Sequence, residues 1–289
     1  MAFWQQQTGN LPAVAPSAFL IAFPAALAGY LLRFLRWHVL LRGVVNSVPL
    51  PTSLAIQAIG FALAATPGRM GEALKFYPLA RHCRVPASQA GPIFLCERLS
   101  DAVGLIVIAL LGALFLAHDA LRECQRVGTV GLLAGALTLP CLLIVRGESV
   151  VRVVRRRSDR WSSALAEFLS ASRALLHGPA VPFAITLTIL ARLCDTLVIA
   201  LVASAFGTAL SYPQAALVLG TAGLAGGESA LPGGLGVADA TMLGLLIGFG
   251  STASAGLAIT LVARVFTFWL WVGIGLIPLA AGWRWLLRG

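Results

Sequence analysis

Pro67-Gly68-Arg69-Met70-Gly71-Glu72 and Pro232-Gly233-Gly234-Leu235-Gly236-Val237 each interrupt a hydrophobic stretch, and each is followed by an apolar helix carrying an arginine, Arg98 or Arg264. The spacings agree: Arg98 stands 31 positions after Pro67, and Arg264 stands 32 after Pro232. Irregular backbone persists in lipid only where protein or a water-filled cavity satisfies its N–H and C=O groups. Helices broken at corresponding places of two halves therefore build a polar site within the bilayer. Function is expected at these two breaks.

Composition fixes the class. With 58% hydrophobic and 11% charged residues over 289 positions, the chain has too little polar surface to cover a soluble globule. The runs near 17–42, 90–117, 127–145, 180–206 and 253–282 each reach or approach the ~20 residues that cross a bilayer as a helix. The arms around the breaks, near 52–66, 70–80, 213–230 and 236–249, are short for a full crossing and read as two re-entrant hairpins. No basic segment precedes the first run, which is too long for a signal-peptide core and is expected to remain as a membrane helix. The five cysteines, Cys83, Cys96, Cys124, Cys141 and Cys194, form no CxxC and support neither a disulfide framework nor a thiolate metal site.

The net charge of +10 comes almost wholly from arginine. Arg33, Arg36 and Arg42 are read as closing the first helix, Arg81 and Arg84 follow the first hairpin, a basic run from Arg146 to Arg160 joins the halves, and Arg284 and Arg288 stand near the end. By the positive-inside rule this places the N-terminus outside and the C-terminus in the cytoplasm, in a multi-pass protein of the cytoplasmic (inner) membrane. That rule explains the arginines without nucleic acid. The first hairpin then enters from the cytoplasm and the second from outside, so the halves form an inverted repeat. Pro51-Thr52-Ser53 answers Tyr212-Pro213-Gln214, and Pro86-Ala87-Ser88 answers Ser251-Thr252-Ala253.

The expected fold is all-α integral membrane: a polytopic bundle built from an inverted repeat with two re-entrant, broken helical hairpins. It forms one transmembrane domain over 1–289, with half one at 16–145, a basic linker and amphipathic helix at 146–178, and half two at 179–283. In the linker, Trp161, Leu165, Phe168, Leu169, Leu175 and Leu176 share a face beside basic residues. This is read as a topology signal with a linker helix, or as a surface for anionic lipid.

Ionisable residues in apolar spans are costly and are candidates for function. Glu97, Arg98 and Asp101 cluster within about one helical turn; Arg69 with Glu72, and Arg192 with Asp195, stand at i, i+3; Glu228, Asp239 and Arg264 belong to the second half. Internal neutralisation accounts for Arg192 and Asp195. The groups beside the breaks read instead as a site. After Pro67-Gly68 and after Pro232-Gly233-Gly234 a new helix is expected to begin, its positive dipole end facing the midplane. With Arg69, Arg98 and Arg264 nearby, this suits a phosphate. Catalytic readings lack support: Gly227-Glu228-Ser229-Ala230 is no nucleophile elbow, no Ser–His pair is evident, and there is no metal or nucleotide motif.

These residues resemble the transmembrane, flippase-like region of lysylphosphatidylglycerol synthases, which also occurs as stand-alone membrane proteins. The matching positions are Arg36-Trp37 with Leu40-Leu41, Pro67-Gly68-Arg69 with Gly71-Glu72, Glu97-Arg98-Leu99 with Asp101, Pro232-Gly233-Gly234 with Gly236-Val237 and Asp239, and Arg264. The resemblance implies lipid translocation and leaves the lipid open among aminoacylated, hopanoid, glycolipid and polyprenyl classes. It departs in Asp239, where glutamate is usual, in the alanines before Pro67, where asparagine is common, and in a leading helix that is not evident. Synthase activity is not expected to come with it.

The expected function is therefore a flippase for an anionic, phosphate-bearing lipid, with no catalytic residues, metal or cofactor. Arg69, Arg98 and Arg264 would bind the phosphate, and Gly68, Gly71, Gly233, Gly234 and Gly236 would form the breaks. Glu72, Glu97, Asp101 and Asp239 would balance charge or carry protons. Coupling to a proton or ion gradient and downhill scrambling both stay open, as do a homo-oligomer and a lipid-biosynthesis partner. The alternatives are an intramembrane enzyme acting on a lipid head group and a non-transporting partner of such an enzyme.

Overall fold

The computed structural model describes residues 16–45, 48–83, 85, 87–116, 168–172, 174–176, 178–229 and 231–287. The expected span at 127–145, the basic run at 146–160 and most of the amphipathic segment lie outside the described residues. Among those described, every regular element is helical. Four helices are long and apolar enough to cross a membrane: Ser17–Arg42, Ala90–Phe115, Ala180–Ala205 and Ala253–Ala281. Their boundaries fall within two residues of those read from hydropathy. Each has 26 residues or more, or about 39 Å of helix at 1.5 Å per residue, which exceeds the hydrocarbon core of about 30 Å.

The elements in chain order are α1 (Pro16–Arg42), α2 (Leu50–Leu63), a 3₁₀ segment (Pro67–Lys75), α3 (Phe76–Cys83), α4 (Ala87–Phe115), α5 (Ala180–Ala205), α6 (Tyr212–Glu228), a 3₁₀ turn (Pro232–Gly234), α7 (Val237–Gly248), α8 (Ala253–Arg264), a π turn (Val265–Trp269) and α9 (Leu270–Leu287). Local chemistry sets several starts. Ser211 and Gln214 exchange side-chain and backbone hydrogen bonds of 3.4 and 2.8 Å, a capping box that opens α6, and Thr252 Oγ1 accepts the Ala255 N–H at 3.2 Å to open α8. The 14 residues of α2 give about 21 Å, too short to span the hydrocarbon alone.

Helices approach closely where side chains are smallest, as expected when packing rather than hydrophobic exclusion drives association in lipid. α4 and α6 meet through Gly112, Gly220 and Gly223; a Cβ on Gly112 would lie 2.6 Å from the Pro213 carbonyl. α9 crosses α2 through Gly275, facing the Ala58 carbonyl. α1 packs along α5, and the two 3₁₀ segments of the breaks pack against each other. Two large apolar cores result, with a smaller one around Leu105, Ile106, Ala109 and Leu224. One gathers Ala26, Tyr30, Val198, Val202, Leu246, Ile259 and Trp271; the other gathers Trp37, Leu40, Leu41, Ile56, Leu79 and Ile93. Leu20, Ile21, Leu31, Phe183, Leu190, Leu261 and Ile277 point outward, an apolar belt far larger than a soluble monomer exposes.

Candidate functional site

Between the two cores, α1 changes character: Arg33 and Arg36 stand between Tyr30, in the first core, and Trp37, in the second. The sequence reading of these arginines as the cytoplasmic end of a span is corrected here. They are 9% and 2% exposed, because each turns inward onto a carboxylate from another helix. Arg33 donates to Asp195 of α5. Arg36 donates to Asp101 of α4 at 2.6 Å, to Ser100 Oγ at 3.2 Å and to Thr188 Oγ1 at 3.1 Å, and lies 3.9 Å from Glu97.

The other members come from α4, α5 and the first break. Asp101 also accepts from Arg98 at 3.0 Å and Arg192 at 3.2 Å, so three guanidinium groups share one carboxylate. Arg98 reaches Glu72 at 2.9 Å and stands over the Phe94 ring. Arg192 lies 3.4 Å from Asp195. Glu97, fully buried, takes a different partner from its neighbour Arg98: Lys75 donates to it at 2.5 Å and to Gln57 at 3.3 Å, with its ammonium over the Trp37 ring. Removing one partner from such a buried pair strands the other, so these pairs constrain four separated stretches of chain at once. The network holds Arg33, Arg36, Lys75, Arg98 and Arg192 against Glu72, Glu97, Asp101 and Asp195. Among the described side chains, cations therefore outnumber carboxylates by one.

The second break is built differently. Arg264 at the end of α8 donates to the Gly233 carbonyl at 2.7 Å, pairs with Asp239 at 3.0 Å and stands over Phe268. Asp239 in turn accepts the Gly236 N–H at 3.0 Å. Gly234, at φ 69°, lies so close to Gly226 that a Cβ would stand 3.0 Å from its Cα. Beside this turn lies a cavity of about 170 Å³. Arg33, Arg192, Asp195 and Arg264 line it together with the aromatic rings of Tyr30, Phe61, Phe268 and Trp271. Tyr30 and Trp271 stack with centroids 4.3 Å apart.

The structure thus joins Glu72, Glu97, Arg98 and Asp101 in the network and places Arg264, Gly233 and Gly234 at the cavity. Asp239 is tied to the cavity through Arg264. Gly68 and Arg69 lie in the 3₁₀ segment; their side-chain positions, and that of Glu228, fall outside the described residues. Gly71 serves packing: its N–H donates to Thr66 Oγ1 at 2.7 Å, and a Cβ would clash with that hydroxyl. Two expectations about dipoles are corrected. No α-helix begins at Gly68, because the chain continues as nine residues of 3₁₀ helix, and α7 begins at Val237 rather than Gly233, with Asp239 already on its N-terminal N–H groups.

Sequence reasoning missed Lys75, Arg33 and Arg36, and assigned Arg192 to neutralisation alone, although it also lines the cavity. One signal was available: Lys75 is the chain's only lysine. A Ser–His contact was also missed. His38 Nδ1 lies 3.1 Å from Ser53 Oγ, which the Trp37 indole also reaches at 3.2 Å. With Ser53 0% exposed, this contact ties α1 to α2 and presents no nucleophile to a ligand.

Fold and site together define a multi-pass α-helical membrane protein with a buried ionic layer and a cavity lined by charged and aromatic side chains. The chain belongs to the family described as the lysylphosphatidylglycerol synthase TM region, which it matches over residues 3–275. It is similar to a UPF0104 membrane protein of Methanothermobacter thermautotrophicus, 28% identical over 269 residues that cover 84% of this chain and 80% of the relative. A second match to a UPF0104 membrane protein of that organism is 30% identical over 119 residues, 41% of this chain and 36% of the relative. No solved structure matches the chain.

Proposed function

We propose that this protein moves an anionic, phosphate-bearing lipid between the leaflets of the cytoplasmic membrane. The carrying observation is this cavity. Arg33, Arg192 and Arg264 bring guanidinium groups to it against one carboxylate, Asp195, among the described lining residues, and Tyr30, Phe61, Phe268 and Trp271 accept apolar matter. Guanidinium groups match phosphate oxygens in planar, paired hydrogen bonds, and in a water-poor site these strengthen. Family membership supports a role connected with membrane lipid.

In this reading the breaks are the tips of two re-entrant hairpins, and α1 and α5 are equivalent helices of an inverted repeat. The matching order of elements in the two halves, a long helix, a helix ending in a 3₁₀ break and a further helix after it, supports that relation. The N-terminus is assigned outside and the C-terminus inside, an orientation that now rests on Arg42, Arg81, Arg84 and the basic run rather than on Arg33 and Arg36. Transport, rather than bond-making chemistry, is assigned to the site.

Purified protein in liposomes is expected to accelerate leaflet exchange of fluorescent phosphatidylglycerol over fluorescent phosphatidylcholine, measured by dithionite quenching. Arg264→Ala is expected to lower the rate about tenfold, since a charged hydrogen bond of about 1.5–3 kcal/mol is lost, whereas Arg81→Ala, on an exposed surface, is expected to change it little. No acceleration across a panel of anionic lipids, including polyprenyl phosphates, would overturn the reading. Head-group turnover without lipid movement would replace it with an intramembrane enzyme.

A further inference from the structure

Among the described side chains the ionic layer contains four carboxylates, and three of them are held by arginine alone. Asp101 is held by Arg36, Arg98 and Arg192, Glu72 by Arg98, and Asp195 by Arg33 and Arg192. A guanidinium does not give up its proton in a protein, so none of these pairs can change its total charge by releasing a proton from the basic partner. Glu97 is the exception, because its closest partner is Lys75, 2.5 Å away and buried with it. An ammonium in a water-poor site can release its proton. Among the described members of the layer, this is the place where the basic side can titrate.

We propose that the Lys75–Glu97 pair is the proton-coupling site of the transporter, so that an anionic lipid and a proton bind together. The proposal rests on the anionic-lipid reading above and adds the charge that accompanies the lipid. With Lys75 protonated, the described side chains of the layer carry one cation more than carboxylates, and an anion in the cavity offsets that charge. With Lys75 neutral, these side chains balance, and an anion would enter without that offset. Lipid therefore favours the protonated pair, and by linkage the proton favours the lipid.

A continuous chain of contacts carries this charge to the cavity. Glu97 lies 3.9 Å from Arg36, Arg36 2.6 Å from Asp101, and Asp101 3.2 Å from Arg192, whose side chain lines the cavity. Among the described residues, groups face the pair from four elements, and the buried Cys96 thiol stands next to Glu97 in the chain. α1 presents Arg36 and the Trp37 ring, α2 presents Gln57, α4 presents Arg98 and Asp101 beside Glu97, and the 3₁₀ segment presents Glu72. His38, the nearby imidazole on α1, is turned onto Ser53. Gly60 also matters, because a Cβ there would lie 2.9 Å from the Lys75 stem; the lysine fills a slot shaped for it.

The test uses purified full-length protein and dioctanoylphosphatidylglycerol, whose phosphodiester keeps its charge across neutral pH. Calorimetry in buffers of different ionisation enthalpy counts protons taken up on binding. On the alkaline side of the transition, the wild type is expected to take up about one proton per lipid bound. Lys75→Met removes the excess cation and is expected to weaken lipid binding about tenfold. The double variant Lys75→Met/Glu97→Gln restores the excess of one without a titrating amine. It is expected to recover most of the affinity and bind with no proton uptake. Replacing a buried ion pair by side chains of similar volume is commonly tolerated, so the double variant also controls for folding.

Rescue by the second substitution separates charge from structure, because a merely structural tie would be damaged by both variants alike. Lipid binding by the wild type without proton uptake, or a double variant no better than the single one, overturns the coupling and leaves the transport reading standing. A wild type that neither binds nor moves any anionic lipid overturns both.

Discussion

The two breaks look alike in sequence and do different work in the fold. The first, Pro67–Lys75, stays helical as a tight 3₁₀ coil and delivers charge: Glu72 to Arg98 and Lys75 to Glu97. The second, around Pro232–Gly234, delivers space, with left-handed glycines beside a cavity that Arg264 lines together with Arg33 and Arg192. A proline followed by glycine therefore predicts that a helix will stop, but not what the stop contributes. That depends on what flanks it: Glu72 and Lys75 within reach of α4 in one case, and glycines at 226, 227, 233, 234 and 236 in the other.

The comparison breaks most sharply at the two carboxylates that serve the two regions. Asp101→Ala leaves Arg36, Arg98 and Arg192 around an empty position and is expected to destabilise the fold by about 3–5 kcal/mol, enough to prevent recovery of monodisperse protein. Asp239→Ala, whose pair with Arg264 is part-exposed, is expected to cost nearer 1 kcal/mol. Thermal unfolding in detergent, followed by tryptophan fluorescence, measures both. Equal losses would mean that the second break is as charge-dependent as the first.

How far each region was legible follows from the same contrast. The spans could be read from hydropathy because each is apolar for longer than a bilayer is thick. Glu97, Arg98, Asp101, Asp239 and Arg264 could be read because a charge well inside such a span needs a reason. Arg33 and Arg36 escaped because they lie toward the end of α1, where snorkelling to an interface is an adequate explanation for an arginine. Their true partners are 162 and 65 positions away, and pairing at that distance leaves no local pattern. Lys75 escaped because it sits just past a break whose start drew the attention. The cavity was invisible for a different reason: it is a volume between α1, α2, α4, α5, α6, α7, α8 and α9, fixed by how glycines let helices approach.

A smaller effect tests whether the second break is shaped by space rather than charge. Gly234→Ala places a Cβ at φ 69° and 3.0 Å from Gly226, and is expected to cost about 1–3 kcal/mol and to narrow the cavity. Gly244→Ala, in the middle of α7, would meet nothing within 4 Å and is expected to stabilise by up to about 1 kcal/mol through helix propensity. Paired melting curves and leaflet-exchange rates for the two variants decide it. An unchanged rate in Gly234→Ala would separate the cavity from the transport path.

The last test perturbs the fold least and asks where the two breaks face. If the halves are inverted, the first hairpin returns to the cytoplasmic side after α3 and the second returns to the outside before α8. Arg81 and Ser254 are exposed positions at those two places, so cysteine there should change stability by less than about 0.5 kcal/mol. In a background with Cys83, Cys96, Cys124, Cys141 and Cys194 replaced, Ser254→Cys is expected to react with an impermeant maleimide in intact cells. Arg81→Cys is expected to react only after the membrane is opened. The 3₁₀ segments pack together whichever way the hairpins point, so packing alone leaves the sidedness of each break undetermined, and labelling supplies it. Both cysteines reacting from one side would show two breaks with the same orientation. The difference between a charge-bearing and a space-bearing break would then have arisen within one face of the membrane rather than from the meeting of two.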